Sequence, residues 1–367
     1  MMRIPPLLLL LDACGGGGAT ADGGDPLDAA PVSCRHFGAF TVAPVTGANG
    51  APLNASGIVT DPSVLREGDQ TLLWYTSGKV VGASGRNEIA RASSTDGIVF
   101  SSIVDPVLVS VPAEWDGLGI ETVAITRDST GAYRAWFTGD LPPDGSLQYA
   151  VGAATSTDGA TWTSHAGPVL APSLPWEQPV CADPPACSLR PGGTLEPSVV
   201  VDADGSFQLW YVALGELDNV TTYRIGHARS ADGVAWTRDP DPVLTPGRAG
   251  SFDDALVSHV NVVADPAGGY HMFYFGSSVA DAAGCTDASP CAFTPGAIGH
   301  AFSSDGIHWT RDAEPVLRAT AATFAAWSLG GPAALIADGQ LTIYFFGNAD
   351  RETYGGALGR AQASCMP

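Results

Sequence analysis

The sequence predicts an all-β chain folded as a five-bladed β-propeller with four-stranded blades, the ring closed by a strand from the N-terminal side. Three observations predict it. A motif of buried-type strand, polar turn and aromatic strand recurs five times. A hairpin with an Asp-Gly turn follows it four times, with a truncated fifth copy. No segment keeps a helical apolar period over the length a helix needs.

The strand–aromatic motif reads SVLREGDQTLLWYTSG from Ser63, VAITRDSTGAYRAWFTGD from Val123, SVVVDADGSFQLWYVALG from Ser198, NVVADPAGGYHMFYFG from Asn261 and AALIADGQLTIYFFG from Ala333. Its marker aromatics are Trp74, Trp136, Trp210, Phe273 and Tyr344, at intervals of 62 to 74 residues. The hairpin copies start at Ile89, Val151, Ile225 and Ile298. They turn at Asp96-Gly97, Asp158-Gly159, Asp232-Gly233 and Asp305-Gly306. Asp-Gly between strand-like runs points to a type I′ turn, whose two central residues both need positive φ. The truncated copy from Leu358 leaves the last blade one strand short, and a strand from near Phe37 to Val42 is expected to complete it. A pair of β-sandwiches or an open β-array is the competing arrangement. The ring leaves only short protected edges.

Composition limits the partners. Hydrophobic residues make up 45% of the 367 residues and charged residues 15%, which suits a large core. The formal net charge of −21 disfavours nucleic acid and anionic lipid headgroups. A neutral sugar is not repelled.

Residues 1–13 read as a signal peptide of the lipoprotein type: Arg3, a short apolar run Leu7 to Leu11, then Ala13 before Cys14, the candidate for lipidation. An ordinary secretory signal or a mis-assigned start is the alternative, since the run is short and Asp12 is unusual there. Residues 14–33, rich in Gly, Ala and Asp, form a flexible tether, and 34–367 the folded domain. The expected location is exported, lipid-anchored to a bacterial-type envelope or secreted. The only expected membrane contact is the anchor, and the expected state is a monomer. Six cysteines remain after Cys14. Proximity suggests the disulfides Cys181–Cys187, Cys285–Cys291 and Cys34–Cys365, the last stapling the two ends of the domain.

Candidate chemistry lies where the first strand of each unit begins, because in a propeller those strands line the axial channel. The register of these starts puts Asp61, Glu121, Glu196 and His259 at equivalent positions, with Gly331-Pro332 in the fifth unit. Crowded carboxyls push each other's pKa values apart, which is the division of labour that glycoside hydrolysis needs. Taken singly, each acid could equally cap a strand start or an Asp-Pro or Glu-Pro turn. A second recurrence, Trp115-Asp116, Trp176-Glu177, Phe252-Asp253 and Phe324-Ala325, reads either as packing between elements or as a sugar-binding rim with Trp115, Asp116 and Asp253 on the substrate.

From about Cys34 onward the chain resembles the five-bladed propeller glycosidases: the arabinanase and β-xylosidase family 43, and the related invertase and levansucrase families. The resemblance rests on the blade count, Asp61-Pro62, Glu196-Pro197, and the repeated Asp-Gly-x-x-Trp and Pro-Val-Leu segments. It implies a glycoside hydrolase acting on neutral arabinose- or xylose-type glycans, with Asp61 as base or nucleophile and Glu196 as acid. Glu121 would be the tuning carboxyl, where the family carries Asp. It implies no obligatory cofactor, and a calcium ion on the axis with His259 among its ligands. A non-catalytic propeller binding glycan or protein is the alternative. A phosphorylase would need a basic cluster beside the acids, and a sialidase an arginine cluster; neither is visible in the sequence.

Overall fold

The computed structural model describes residues 33–54, 57–79, 86–111, 114–141, 147–178, 192–217, 220–285, 289, 291–320 and 324–366, within one compact unit, Val32–Pro367. Cys14, the signal and tether segments, and the Cys181–Cys187 pair lie outside the described residues.

The chain is nearly all β. Short polar turns let each strand fold back on the one before, giving repeated antiparallel meanders. Unit one comprises Gly57–Glu67, Gln70–Lys79, Glu88–Ser94 and Val99–Leu108. Unit two comprises Gly119–Arg127, Tyr133–Asp140, Leu147–Ser156 and Thr163–Ser164. Unit three comprises Gly192–Val201, Phe207–Leu217, Val220–Ser230 and Thr237–Arg238. Unit four comprises Leu256–Ala264, Tyr270–Ser277, Ala297–Ser303 and Thr310–Arg311. The last meander, Ser328–Ala337, Gln340–Asn348 and Ala357–Met366, takes its outer partners from the other end of the chain. Thr41–Pro44 and His36–Phe37 both pair antiparallel with Ala357–Met366. Beside that pairing the disulfide Cys34–Cys365 forms, and Cys285–Cys291 closes a small loop.

The first strands are neighbours in space. Gly57–Glu67 lies against both Gly119–Arg127 and Ser328–Ala337. Gly192–Val201 lies against Gly119–Arg127 and Leu256–Ala264, and the latter against Ser328–Ala337. They are not paired with one another in a ladder, and side chains bridge them. Ser63 Oγ accepts from Ile125 N–H at 3.0 Å, Ser198 Oγ from Val262 N–H at 2.8 Å, and Asn261 Oδ1 from Ala334 N–H at 2.8 Å. The apolar core lies between adjacent sheets. Leu72 and Trp74 of unit one pack on Ile120, Val123 and Ile125 of unit two, and Leu73 and Tyr75 share a cluster with Ala333, Tyr344 and Phe346 of the last unit.

The Asp-Gly turns differ from the expected type I′. Only the glycines have positive φ, 69° at Gly97 and Gly159, 75° at Gly233 and 80° at Gly306. The preceding serine and the aspartate brace the loop instead. Ser94 Oγ accepts from Gly97 N–H at 2.9 Å, while Asp96 Oδ1 accepts from Ile98 and Val99 N–H at 2.8 Å, and the other copies repeat this. A carboxylate that satisfies two backbone donors removes the need for a second residue at positive φ.

These turns also join neighbouring units. Trp74 Nε1 donates to Gly159 O at 2.9 Å, Trp136 Nε1 to Gly233 O and Trp210 Nε1 to Gly306 O, both at 2.8 Å, and Tyr344 Oη to Gly97 O at 2.9 Å. A Cβ at Gly159, Gly233 or Gly306 would lie 2.8–2.9 Å from the docked indole, so glycine is required for contact as well as for φ. Phe273 is the one marker without a donor, and the unit it faces carries no such turn. Phe37 packs there instead, its ring centroid 6.0 Å from that of Phe273. Tyr344→Phe should therefore leave Gly97 O buried and unpaired. It should lower unfolding stability by about 1–2 kcal/mol, read as a lower urea midpoint at unchanged slope.

Among the described residues no helix is long and apolar enough to cross a membrane.

Candidate active site

Every first strand carries a bulge at the same register, two residues before the one paired with the marker aromatic. Pairing breaks between Thr60 and Ser63, Glu121 and Ala124, Leu195 and Ser198, Ser258 and Asn261, and Gly330 and Ala333. The first unpaired residue has positive φ each time: Asp61 at 48°, Thr122 at 47°, Glu196 at 51°, His259 at 47° and Gly331 at 55°. Four non-glycine residues held in this region by bulges mark a site where backbone strain is tolerated to aim side chains. The backbone is fixed across units too, since Thr122 N–H donates to Thr76 Oγ1 at 3.0 Å and Glu196 N–H to Thr138 Oγ1 at 2.8 Å.

This corrects the alignment of unit two. Thr122, not Glu121, is equivalent to Asp61, Glu196 and His259. The turn after the first strand is two residues long in units one and five, and five residues long in units two, three and four. Glu196 stands 14 residues before Trp210 and His259 14 before Phe273, and the same interval before Trp136 arrives at Thr122. Glu121 sits one residue nearer the strand start, half-buried, with its Oε2 accepting from Asn87 Nδ2 at 3.1 Å. Its charge still acts on both Asp61 and Glu196.

Asp61 and Glu196 are 4% and 7% exposed and line one end of a cavity of about 340 Å³ that runs along the first strands. Between them stands His259. Its Nε2 is 3.4 Å from Asp61 Oδ1 and its Nδ1 3.5 Å from Glu196 Oε1. One imidazole with a contact on either side keeps the two carboxyls within the upper limit of about 9.5 Å seen for carboxyl pairs in glycoside hydrolysis. Neither oxygen of Asp61 closes a well-aligned hydrogen bond, although the Thr60 and Thr76 hydroxyls lie close enough to favour its charge, whereas Glu196 Oε2 accepts the backbone N–H of His259.

Burial, reinforced by Glu121, pushes Asp61 up to about 7. Burial drives Glu196 well above the usual carboxylate range despite the His259 N–H it accepts, with Asp61 and Glu121 adding to the rise. Burial also raises Glu121, with Asn87 opposing it, and burial plus Glu121 brings Asp140 up to about 8. The same burial pushes the His259 imidazole down to about 3, so it is neutral at ordinary pH. Phe275, Phe293 and Phe346 surround its ring edge-on at 5.6–6.0 Å.

Sequence reading missed several members of this group. Asp140 ends the second strand of unit two with Oδ1 buried and unpaired, and Asn87 and Asp140 both crowd Gly119. Tyr149, Tyr223 and Tyr354 are raised by burial first and then by these carboxylates, and Tyr354 stacks near Phe293 and Phe346. They come from loops and later strands at no fixed offset from a motif. A visible signal was the Gly-Asp that follows the marker strand only in unit two.

The second recurrence is engaged within its own units. Trp115 stacks on Phe137, Trp176 on Tyr211, Phe252 on Tyr274 and Phe324 on Phe345. Asp116 Oδ1 accepts from Val111 N–H at 3.2 Å. Asp253 accepts from Tyr274 Oη, Arg311 and Ser251. These contacts match the packing alternative. As for calcium, both ring nitrogens of His259 face carboxyls inside an aromatic sleeve. Among the described residues no group of three or more His, Cys, Asp or Glu side chains is placed to hold a metal ion. The donor set does not fit a cation that takes six to eight oxygens, and no step is derived through one.

The class defined by this architecture is the glycosidase-like propeller fold. Among solved structures the chain is similar to a glycosyl hydrolase from Bacteroides ovatus, with TM-score 0.59 and 19% identity over 84% of each chain. It is similar to the β-1,2-mannobiose phosphorylase from Listeria innocua, with TM-score 0.60 and 15% identity over 93% of this chain and 94% of that one. A third similar structure represents the GH130 family of mannoside phosphorylases, described as containing glycoside hydrolases that target β-1,2 mannosidic linkages in Candida mannan. There the TM-score is 0.59 and the identity 19%, over 85% of this chain and 87% of that one. No protein-family model matches the sequence, and no curated protein is similar to it in sequence.

Proposed function

We propose that this chain is a five-bladed propeller glycoside hydrolase, exported and held at the envelope by a lipid on Cys14. It acts as a monomer on neutral glycans of the arabinose- or xylose-containing kind. The observation that carries the reading is the placement of Asp61 and Glu196 on either side of one imidazole at the end of a shared cavity. Glu196, held well above the usual carboxylate range, keeps the proton and gives it to the departing glycosidic oxygen. Asp61, ionised above about pH 7, removes a proton from water or attacks the anomeric carbon. Glu121 tunes both through its charge.

Hydrolysis is favoured over phosphorolysis. The charges acting on Asp61, Asp140 and Glu196 are those of neighbouring carboxylates. An incoming phosphate dianion would meet like charge, and no arginine or lysine is among the groups that shift these three carboxyls.

The test is a panel of nitrophenyl α-arabinofuranosides, β-xylosides, fructosides and β-mannosides, together with β-1,2-mannobiose, each with and without phosphate. The expected result is phosphate-independent release of sugar from at least one member, with kcat/KM rising as pH increases through about 7. No turnover of any member would sink the enzyme reading, and phosphate-dependent turnover the hydrolytic one.

A further inference from the structure

The acid/base assignment requires the two carboxyls to stay in opposite protonation states, and the group between them is positioned to enforce that. The Thr60 and Thr76 hydroxyls favour the charge of Asp61 but neither closes a well-aligned hydrogen bond to it, and as the ionised base it can only accept. The ring atom facing it is Nε2, at 3.4 Å. On the other side, Nδ1 lies 3.0 Å from Ser258 Oγ and 3.5 Å from Glu196 Oε1. The serine hydroxyl can donate, and so can a carboxylic acid that holds its proton. A neutral imidazole has one N–H and one lone pair, so only one tautomer meets both sides: N–H at Nε2 and lone pair at Nδ1.

We infer that His259 is a positioning residue that partitions one proton between the two carboxyls, donating from Nε2 to an ionised Asp61 and accepting at Nδ1 from Ser258 and a protonated Glu196, in place of the calcium-ligating role its position suggests. The inference rests on the glycosidase reading for its purpose and on geometry for its content. Both contacts exceed an ideal hydrogen bond, as catalytic contacts commonly do before substrate closes the site. The remaining groups facing the ring are Phe275, Phe293 and Phe346, which bring no charge. Glu121 acts on both carboxyls through its charge, and Tyr354 is a neutral phenol within reach of theirs. An aromatic sleeve disfavours imidazolium, so the ring cannot neutralise both acids at once.

The tautomer can be read without any substrate. The full chain labelled with ¹⁵N-histidine is followed by long-range ¹H–¹⁵N correlation from about pH 5 to about pH 8, a window in which an ordinary exposed histidine titrates. The His259 signals are identified by their loss in His259→Asn, a residue that adopts positive φ readily. Should that variant not fold, Asp61→Asn identifies them by the shift it imposes on Nε2. The expected result is a neutral imidazole throughout, with the Nε2–H tautomer above about pH 7, where Asp61 is ionised, unmoved by calcium chloride or EDTA. An imidazolium pattern, an Nδ1–H tautomer above that pH or a calcium-dependent shift overturns the proposal.

On whichever glycoside the wild type cleaves, His259→Asn should move the acid limb of kcat/KM up by about one pH unit, because Asp61 loses the donor that favours its ionised form. A limb that stays in place while activity falls at all pH values would assign His259 a purely structural role. Inertness of the wild type toward every glycoside, together with the Nε2–H tautomer, would instead remove the glycosidase reading and leave the proton partition standing.

Discussion

Asp61→Asn should be inactive and, at pH 8 or above, more stable than the wild type. The loss of turnover is expected to be on the order of 10²–10⁴-fold, the range that a positioned acid or base contributes. The stability gain follows from where the carboxyl sits. Its folded pKa of about 7 lies above the 3.8 of an unperturbed aspartate. The buried neutral acid is therefore fully tolerated below pH 4, and stability is lost as pH rises through 7 and a charge must be held without water. An amide carries no such charge. At about 1.36 kcal/mol per pH unit, the variant should gain up to about 4 kcal/mol at pH 8 and nothing at pH 4. Asparagine also accepts the positive φ of 48° at this bulge. Chemical denaturation of both proteins at the two pH values checks the prediction. A variant that is destabilised at pH 8 would mean that the contacts of Asp61 with His259, Thr60 and Thr76 outweigh its burial.

Glu196→Gln should discriminate between leaving groups. If Glu196 supplies the proton to the departing oxygen, loss of that proton should cost on the order of 10²–10⁴-fold on substrates whose leaving group is a sugar. It should cost far less on nitrophenyl glycosides, whose leaving group departs as a stable anion. The backbone N–H of His259 that the carboxyl accepts can be accepted equally by the amide oxygen, so the fold should survive. Rates on matched sugar and nitrophenyl substrates decide it. Equal losses on both would remove Glu196 from the acid role and leave it as a binding group.

Much of the architecture was open to reading because its signals are local. Alternating apolar residues, Asp-Gly turns and marker aromatics each act within a few residues, and their recurrence locates the meanders of strands. Even the exception is intelligible. Phe273, the marker without an N–H or O–H, faces the one unit that carries no glycine carbonyl to receive it. The turn geometry was misjudged because the serine and aspartate side chains, rather than a second residue at positive φ, satisfy the backbone. Glu121 was placed one residue out because its carboxyl matches Asp61 and Glu196 in kind, whereas the pairing of Ala124 with Trp136 puts its neighbour Thr122 at the bulge.

From the sequence alone, the all-β class and the recurring strand units were determined, a closing strand near Phe37 to Val42 was expected where Thr41–Pro44 and His36–Phe37 now pair, and the joining of Cys34 to Cys365 was suggested. All follow from periodicities and turn residues that operate at short range, or from a truncated repeat that lacks a partner. Tertiary structure alone decided that Thr122 holds the bulge while Glu121 reaches the same acids, that Asp140, Tyr354 and Phe293 join them, and that His259 stands between Asp61 and Glu196. Those relations cross from sheet to sheet. Side chains far apart in the chain become neighbours only when the first strands converge, and how they face one another depends on loop lengths and bulge angles that no single segment encodes.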